Sequence, residues 1–193
     1  HHLPPLRELG RRATANGVAA TKLSATELKQ RETHVRGVEA LHVPDAGIVD
    51  FSAVARCLVD VLRERGVEMR TSTEFIKSHV DGSELVVTTT AGDFRTRRAV
   101  NCAGLHSDRV AELAGYSPPA RILPFRGEYY DSPRRDLVSS LVYPVPDPAF
   151  PFLGVHFTRT IHGGLHVGPN AVPALAREGY DWRTWSRQHL GWL

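Results

Sequence analysis

Phe51, Val54, Ala55, Leu58, Val61 and Leu62 recur at i, i+3, i+4, i+7, i+10 and i+11, so their side chains form one stripe of a helix. Asp50 stands at the N-cap position and Gly66 just past the end, which bounds the helix on both sides. Directly afterwards Val67, Met69, Thr71, Thr73 and Phe75 alternate at period two, the spacing of a strand. A helix passing through one glycine into a strand commits the chain to mixed α and β structure.

The flanking segments follow the same logic. Leu6, Leu9 and Ala13 predict a helix over Leu3 to Ala15 that stops at Asn16-Gly17. Ser24-Ala25-Thr26-Glu27 has the form of a capping box and predicts a second short helix to about Glu32. Val38 to Val43 reads as a strand stopped by Pro44-Asp45-Ala46-Gly47. Leu85 to Thr90 and Phe94 to Arg98 read as a hairpin about Ala91-Gly92-Asp93. Ala99 to Gly104 then predicts a short strand that enters a helix bearing Val110, Leu113 and Ala114 through His106-Ser107-Asp108, a turn whose amides can hold an anion. From Arg121 the pattern becomes strand-rich: Ile122 to Tyr130, Leu137 to Tyr143, Gly154 to Thr160 and Leu165 to Gly168. Pro144, Pro146, Pro148 and Pro151 break the middle connection, and the tail Tyr180 to Leu193 is aromatic and basic.

Composition narrows the function classes. With 193 residues, 41% hydrophobic and 23% charged, the chain can bury a core without disulfides or a structural metal. No apolar run approaches the roughly 18 residues of a membrane span. The start His1-His2-Leu3-Pro4-Pro5 has no secretory leader and resembles a truncation or tag remnant. The net charge of +3 would suit nucleic acid, but its basic residues are scattered, with the short clusters Arg95-Arg97-Arg98 and Arg134-Arg135 flanked by acids, so no nucleic-acid partner is expected. Cys57 and Cys102 have neither disulfide nor zinc spacing, which makes a reducing, cytoplasmic compartment the expectation. There is no G-x-G-x-x-G fingerprint, Walker A loop, H-E-x-x-H helix or G-x-S-x-G elbow. Spacing alone stops at a mixed α and β domain.

The order of particular segments carries more. These are Gly47-Ile48-Val49-Asp50 before the amphipathic helix, Val100-Asn101-Cys102-Ala103-Gly104 with Ser107-Asp108, Pro124 to Tyr130, Tyr143 to Pro148, Phe152 to Arg159, and Val167 to Ala171. Together they closely resemble the L-2-hydroxyglutarate oxidase/dehydrogenase family, FAD enzymes of the D-amino-acid-oxidase-like superfamily. The resemblance runs from about Leu6 to Tyr180. It implies an α/β fold with α+β character: a partial Rossmann-like FAD lobe over 49–119, and an antiparallel substrate-binding sheet built from 1–48 and 120–193. Family members are about twice as long, so the chain reads as an internal slice without the glycine fingerprint.

The resemblance also implies roles. Phe75, Cys102, Ala103, Gly104 and Ser107 fall where the family holds FAD; their plain alternatives are a core phenylalanine and a tight βα turn. Arg126 and Tyr129 fall on the strand facing a 2-hydroxy dicarboxylate substrate, where a guanidinium suits a carboxylate fork. The plain alternative for Arg126 is a surface pair with Glu128. His156 falls where a base would take the hydroxyl proton, with Thr158 beside it on the same strand face; a lone strand histidine is otherwise structural. Gly168-Pro169-Asn170 is expected to form a tight turn that brings Asn170 to substrate, and His162 and His166 read as residues flanking the Gly163-Gly164 hairpin turn. The reaction implied is oxidation of L-2-hydroxyglutarate to 2-oxoglutarate. Its electron acceptor is dioxygen or a quinone reached by peripheral attachment at the inner membrane, and the slice by itself is expected to self-associate. Rival readings are a related flavin enzyme acting on glycerol 3-phosphate or an amino acid, and a basic binding module without chemistry.

Overall fold

A computed structural model describes residues 3–147, 149 and 154–186. His1, His2, Pro148, Phe150, Pro151, Phe152, Leu153 and the tail beyond Ser186 therefore lie outside the described residues. The elements in order are α1 (Leu3–Ala15), β1 (Thr21–Ser24), α2 (Ala25–Arg31), β2 (Glu39–His42), α3 (Phe51–Glu64), β3 (Phe75–Asp81), β4 (Glu84–Thr89) and β5 (Gly92–Thr96). A single 3-10 turn (Gly104–His106) leads into α4 (Ser107–Leu113), followed by β6 (Phe125–Asp131), β7 (His156–Arg159) and β8 (Leu165–Pro173). The chain folds as two compact units, residues 1–55 with 127–172 and residues 56–126 with 173–193.

Local signals explain most helix ends. At the end of α1, Gly17 takes φ 68, and the amides of Val18 and Gly17 donate to the carbonyls of Ala13 (2.9 Å) and Thr14 (3.1 Å). The capping box of α2 forms in full: the Glu27 amide donates to Ser24 Oγ and the Ser24 amide to the Glu27 carboxylate. Asp50 caps α3 by accepting the amides of Ser52 and Ala53.

In the first unit β1 pairs antiparallel with β2, and β7 with β8. The second sheet has the order β6-β8-β7. Leu6, Leu28, Val138 and Leu165 form the buried apolar positions of this unit. In the second unit β3, β4 and β5 form an antiparallel meander, with Val86 buried on its central strand. α3 buries none of its residues, and Phe51 and Leu58 remain 79% and 58% exposed.

Four expectations need correction. The extended run predicted from Val67 starts only at Phe75, because a bend at Thr71–Ser72, with Ser72 at φ 53, interrupts it. Ala99 to Ala103 forms no strand; no described segment supplies a ladder to it, and Val100 is 85% exposed. Leu137 to Tyr143 is not a strand either. Its amides at Ser139 and Ser140 are taken by the Glu32 carboxylate, and only Val142 makes a bridge, to Phe157. Finally, Gly168-Pro169-Asn170 makes no tight turn, because β8 runs through it to Pro173. Gly168, at φ 153, lies so close to β6 that a Cβ would stand 2.7 Å from the Glu128 carbonyl oxygen. Strand-to-strand packing, not chain reversal, requires that glycine.

Candidate functional site

His156 opens β7 opposite Gly168 and is buried. Its Nδ1 lies 3.2 Å from the Gly154 carbonyl. A carbonyl can only accept, so Nδ1 carries the hydrogen and the neutral ring keeps its lone pair on Nε2. Two aromatic rings frame it. Tyr143 stacks at 4.6 Å between centroids and 39°, and Tyr129 stands nearly edge-on at 6.4 Å and 75°. Tyr129 has room to do so because Gly127 and Gly168 bear no side chain: a Cβ on either would meet its ring at 3.2 Å or 2.9 Å. Thr158, two residues on from His156, shares its strand face and pairs with His166, whose Nε2 is 2.9 Å from Asp131.

Asn170 is exposed on β8 and lines a cavity of about 910 Å³ together with Tyr143, Gly154, Val155, Pro169 and Arg36. The cavity lining thus includes Tyr143, whose ring covers His156, and Gly154, whose carbonyl orients it. Four of the five expected catalytic and substrate residues, Tyr129, His156, Thr158 and Asn170, belong to this first unit. Arg126 belongs to the other. There it is buried, its guanidinium stacked 3.9 Å from the centroid of Trp182 and donating to the Asp181 carbonyl at 3.1 Å.

The expected cofactor residues all lie in the second unit. Phe75 begins β3 opposite Thr89. Cys102, Ala103 and Gly104 are exposed and small, with Gly104 at φ +53 and nothing within 4 Å of a Cβ built there, so backbone is open to approach. Asn101 shapes this turn, accepting the Ala103 amide (3.1 Å) and donating to the Ser107 carbonyl (2.8 Å). The Ser107 hydroxyl donates to the Gly104 carbonyl at 2.8 Å. A bare backbone of small residues fits the close approach that a dinucleotide needs.

Behind the turn is a group that sequence reasoning missed. Asp108 and Arg177 form a buried, bidentate ion pair, and the Asp108 carboxylate also accepts the amides of Arg109 (2.8 Å) and Ile122 (3.0 Å). The Arg177 guanidinium, ahead of desolvation, holds the Asp108 carboxyl far below the usual carboxylate range. Nothing local links residues 69 apart, so no spacing rule could find them.

Residues 1–193 match the family described as FAD dependent oxidoreductase. The chain belongs to this family. It is 44% identical over 182 residues to the L-2-hydroxyglutarate dehydrogenase of Indibacter alkaliphilus, an alignment covering 92% of this chain and 46% of that protein. The human mitochondrial L-2-hydroxyglutarate dehydrogenase is 40% identical over 195 residues, covering 92% of this chain and 42% of its own length. The chain therefore spans under half the length of these relatives, and the compartment differs among members. Among solved structures, the dithionite-reduced, FAD-bound L-alpha-glycerophosphate oxidase of Mycoplasma pneumoniae superposes with a TM-score of 0.74 at 25% identity, covering 91% of this chain and 48% of that one. The fold is thus that of FAD-dependent oxidoreductases, mixed α and β with antiparallel sheets, as the resemblance implied. No helix among the described residues is long and apolar enough to cross a membrane.

Proposed function

We propose that the protein carrying this chain oxidises the C2 hydroxyl of L-2-hydroxyglutarate to 2-oxoglutarate. The observation that carries this reading is 40% to 44% identity over nine-tenths of the chain to dehydrogenases of that substrate from bacteria and animals. FAD, when bound, supplies the two-electron acceptor. The exposed backbone of Cys102, Ala103 and Gly104, with Ser107 and the main chain of Phe75, would hold it, so residues 49–119 contribute to the flavin lobe. The strands within 1–48 and 120–193, β1, β2, β6, β7 and β8, make up the substrate-binding part.

His156 acts as the base. With Nδ1 donated to Gly154, its Nε2 takes the hydroxyl proton as the C2 hydrogen leaves as hydride. Tyr143 and Tyr129 hold the imidazole plane. Thr158 and Asn170 hydrogen-bond the substrate. In the other unit the Arg126 guanidinium, its plane fixed by Trp182, is of the kind that recognises a carboxylate. Dioxygen, or a quinone at a membrane surface, would serve as the final electron acceptor.

Steady-state turnover of the full-length protein on L-2-hydroxyglutarate, glycerol 3-phosphate and glycine tests the reading. Preference for the hydroxy dicarboxylate by at least an order of magnitude in kcat/KM is expected. A preference for glycerol 3-phosphate would support the alternative that the glycerophosphate oxidase superposition suggests.

A further inference from the structure

We infer that Arg177 is a positioning residue for FAD: it fixes the turn from Asn101 to Ser107, which is proposed above to hold the cofactor, and the inference rests on that reading. Arg177 lies just beyond β8 and is 5% exposed. One guanidinium fork closes on both carboxylate oxygens of Asp108, and its Nη1 also donates to the Leu105 carbonyl at 2.5 Å. The next residue makes a parallel grip, with Glu178 Oε1 2.9 Å from His106 Nε2. Residues 177 and 178 thus hold Leu105, His106 and Asp108 at three points.

The consequence falls on the residues just before. Asn101 and Ser107 spend their side chains inside the turn, on the Ala103 amide and on the carbonyls of Ser107 and Gly104. The amides of Cys102 and Gly104 take part in no hydrogen bond among the described residues, and both residues are exposed. Donors so presented suit a pyrophosphate only if they stay in place. An uncompensated carboxylate at Asp108, four residues past Gly104, would repel that same anion, and Arg177 neutralises it.

Stability alone does not explain the pair. Replacing a buried ion pair by apolar side chains of similar volume is often neutral or favourable, because two charges must be desolvated. An apolar contact, however, would neither fix orientation through a planar fork nor neutralise Asp108. The Arg177 Nε atom is buried without a partner among the described residues, so part of the guanidinium's hydrogen-bonding capacity is given up to keep this geometry.

The test uses the full-length protein, stripped of flavin and titrated with FAD by fluorescence, alongside amide hydrogen exchange. Arg177→Lys keeps the charge and loses the fork. It should weaken FAD binding by about tenfold or more, as with other groups that orient a ligand-holding element, and speed exchange in the peptide spanning Cys102 to Leu105 while leaving β4 and β5 protected. Val86→Ala, a cut in the core of the β4 strand, controls for stability and should leave FAD affinity unchanged. Wild-type affinity and exchange in Arg177→Lys would overturn the inference while leaving the flavin reading intact. A wild-type protein that takes up no FAD would overturn both. If Arg177→Lys fails to fold, His106→Ala removes only the exposed grip on Glu178 and is measured in the same way; unchanged affinity and exchange there overturn the inference.

Discussion

The chemistry proposed for His156 depends on which of its nitrogens is free. Because Nδ1 faces the Gly154 carbonyl, Nε2 keeps the lone pair a base needs. His156→Asn keeps a polar side chain but removes the base, and flavin reduction by substrate in the full-length protein should slow by about a hundredfold or more, read by stopped flow. An unchanged rate would make the histidine structural. Glu32 shows the opposite use of a buried polar group. Burial pushes its carboxyl up, but hydrogen bonds from the hydroxyl and amide of Ser139 and the amide of Ser140 outweigh that and lower it below its ordinary 4.5. A carboxyl lowered on folding contributes stability that is fully present above pH 4.5 and is lost as pH falls through its folded value. Glu32→Gln should therefore cost about 1.5 to 3 kcal/mol near neutrality. Denaturant melts below pH 4.5 should show that difference shrinking; a constant gap would mean that the carboxylate charge is not what holds Ser139 and Ser140.

At the scale of elements, the close approach of β6 and β8 sets the aromatic frame around His156. Gly168→Ala places a methyl group 2.7 Å from the Glu128 carbonyl oxygen and 2.9 Å from the Tyr129 ring. The strand must shift, at a cost of roughly 1 to 3 kcal/mol, and near-ultraviolet circular dichroism should report a disturbed tyrosine environment. An unperturbed melting temperature and spectrum would show that the two strands separate freely. What could be read from sequence divides along the same line. Elements made by neighbours in the chain were legible: α1 with its Asn16-Gly17 stop, the α2 capping box, the Asp50 cap and the β4–β5 hairpin all rest on contacts within a few residues. The failures involve distant partners. Leu137 to Tyr143 has the alternation of a strand, yet Glu32, 107 residues away from Ser139, takes its amides. Gly168-Pro169-Asn170 has turn composition, yet contact with Glu128 makes it strand. The resemblance of local segments points to His156 and Asn170, whereas Tyr143 as a covering ring and the Asp108–Arg177 pair emerge only in three dimensions.

At the scale of the whole molecule, α3 carries a strong apolar stripe and buries none of it, with Val54, Val61 and Leu62 also exposed. The curated relatives are more than twice as long as the aligned region. The isolated 193-residue chain should therefore associate with itself through such surface. It should also pass through a desalting column with excess FAD and emerge colourless, since the turn at Cys102–Gly104 is only one of the contacts a dinucleotide requires. Light scattering that reports a monomer, or stoichiometric flavin absorbance, would contradict this. For the full-length protein, the most direct measurement is anaerobic mixing with L-2-hydroxyglutarate while the visible flavin band is followed and 2-oxoglutarate is assayed. We expect the band to bleach with one 2-oxoglutarate formed per flavin and with the D-enantiomer inert; a band that persists with L-2-hydroxyglutarate, or that bleaches with glycerol 3-phosphate instead, would contradict the proposed activity.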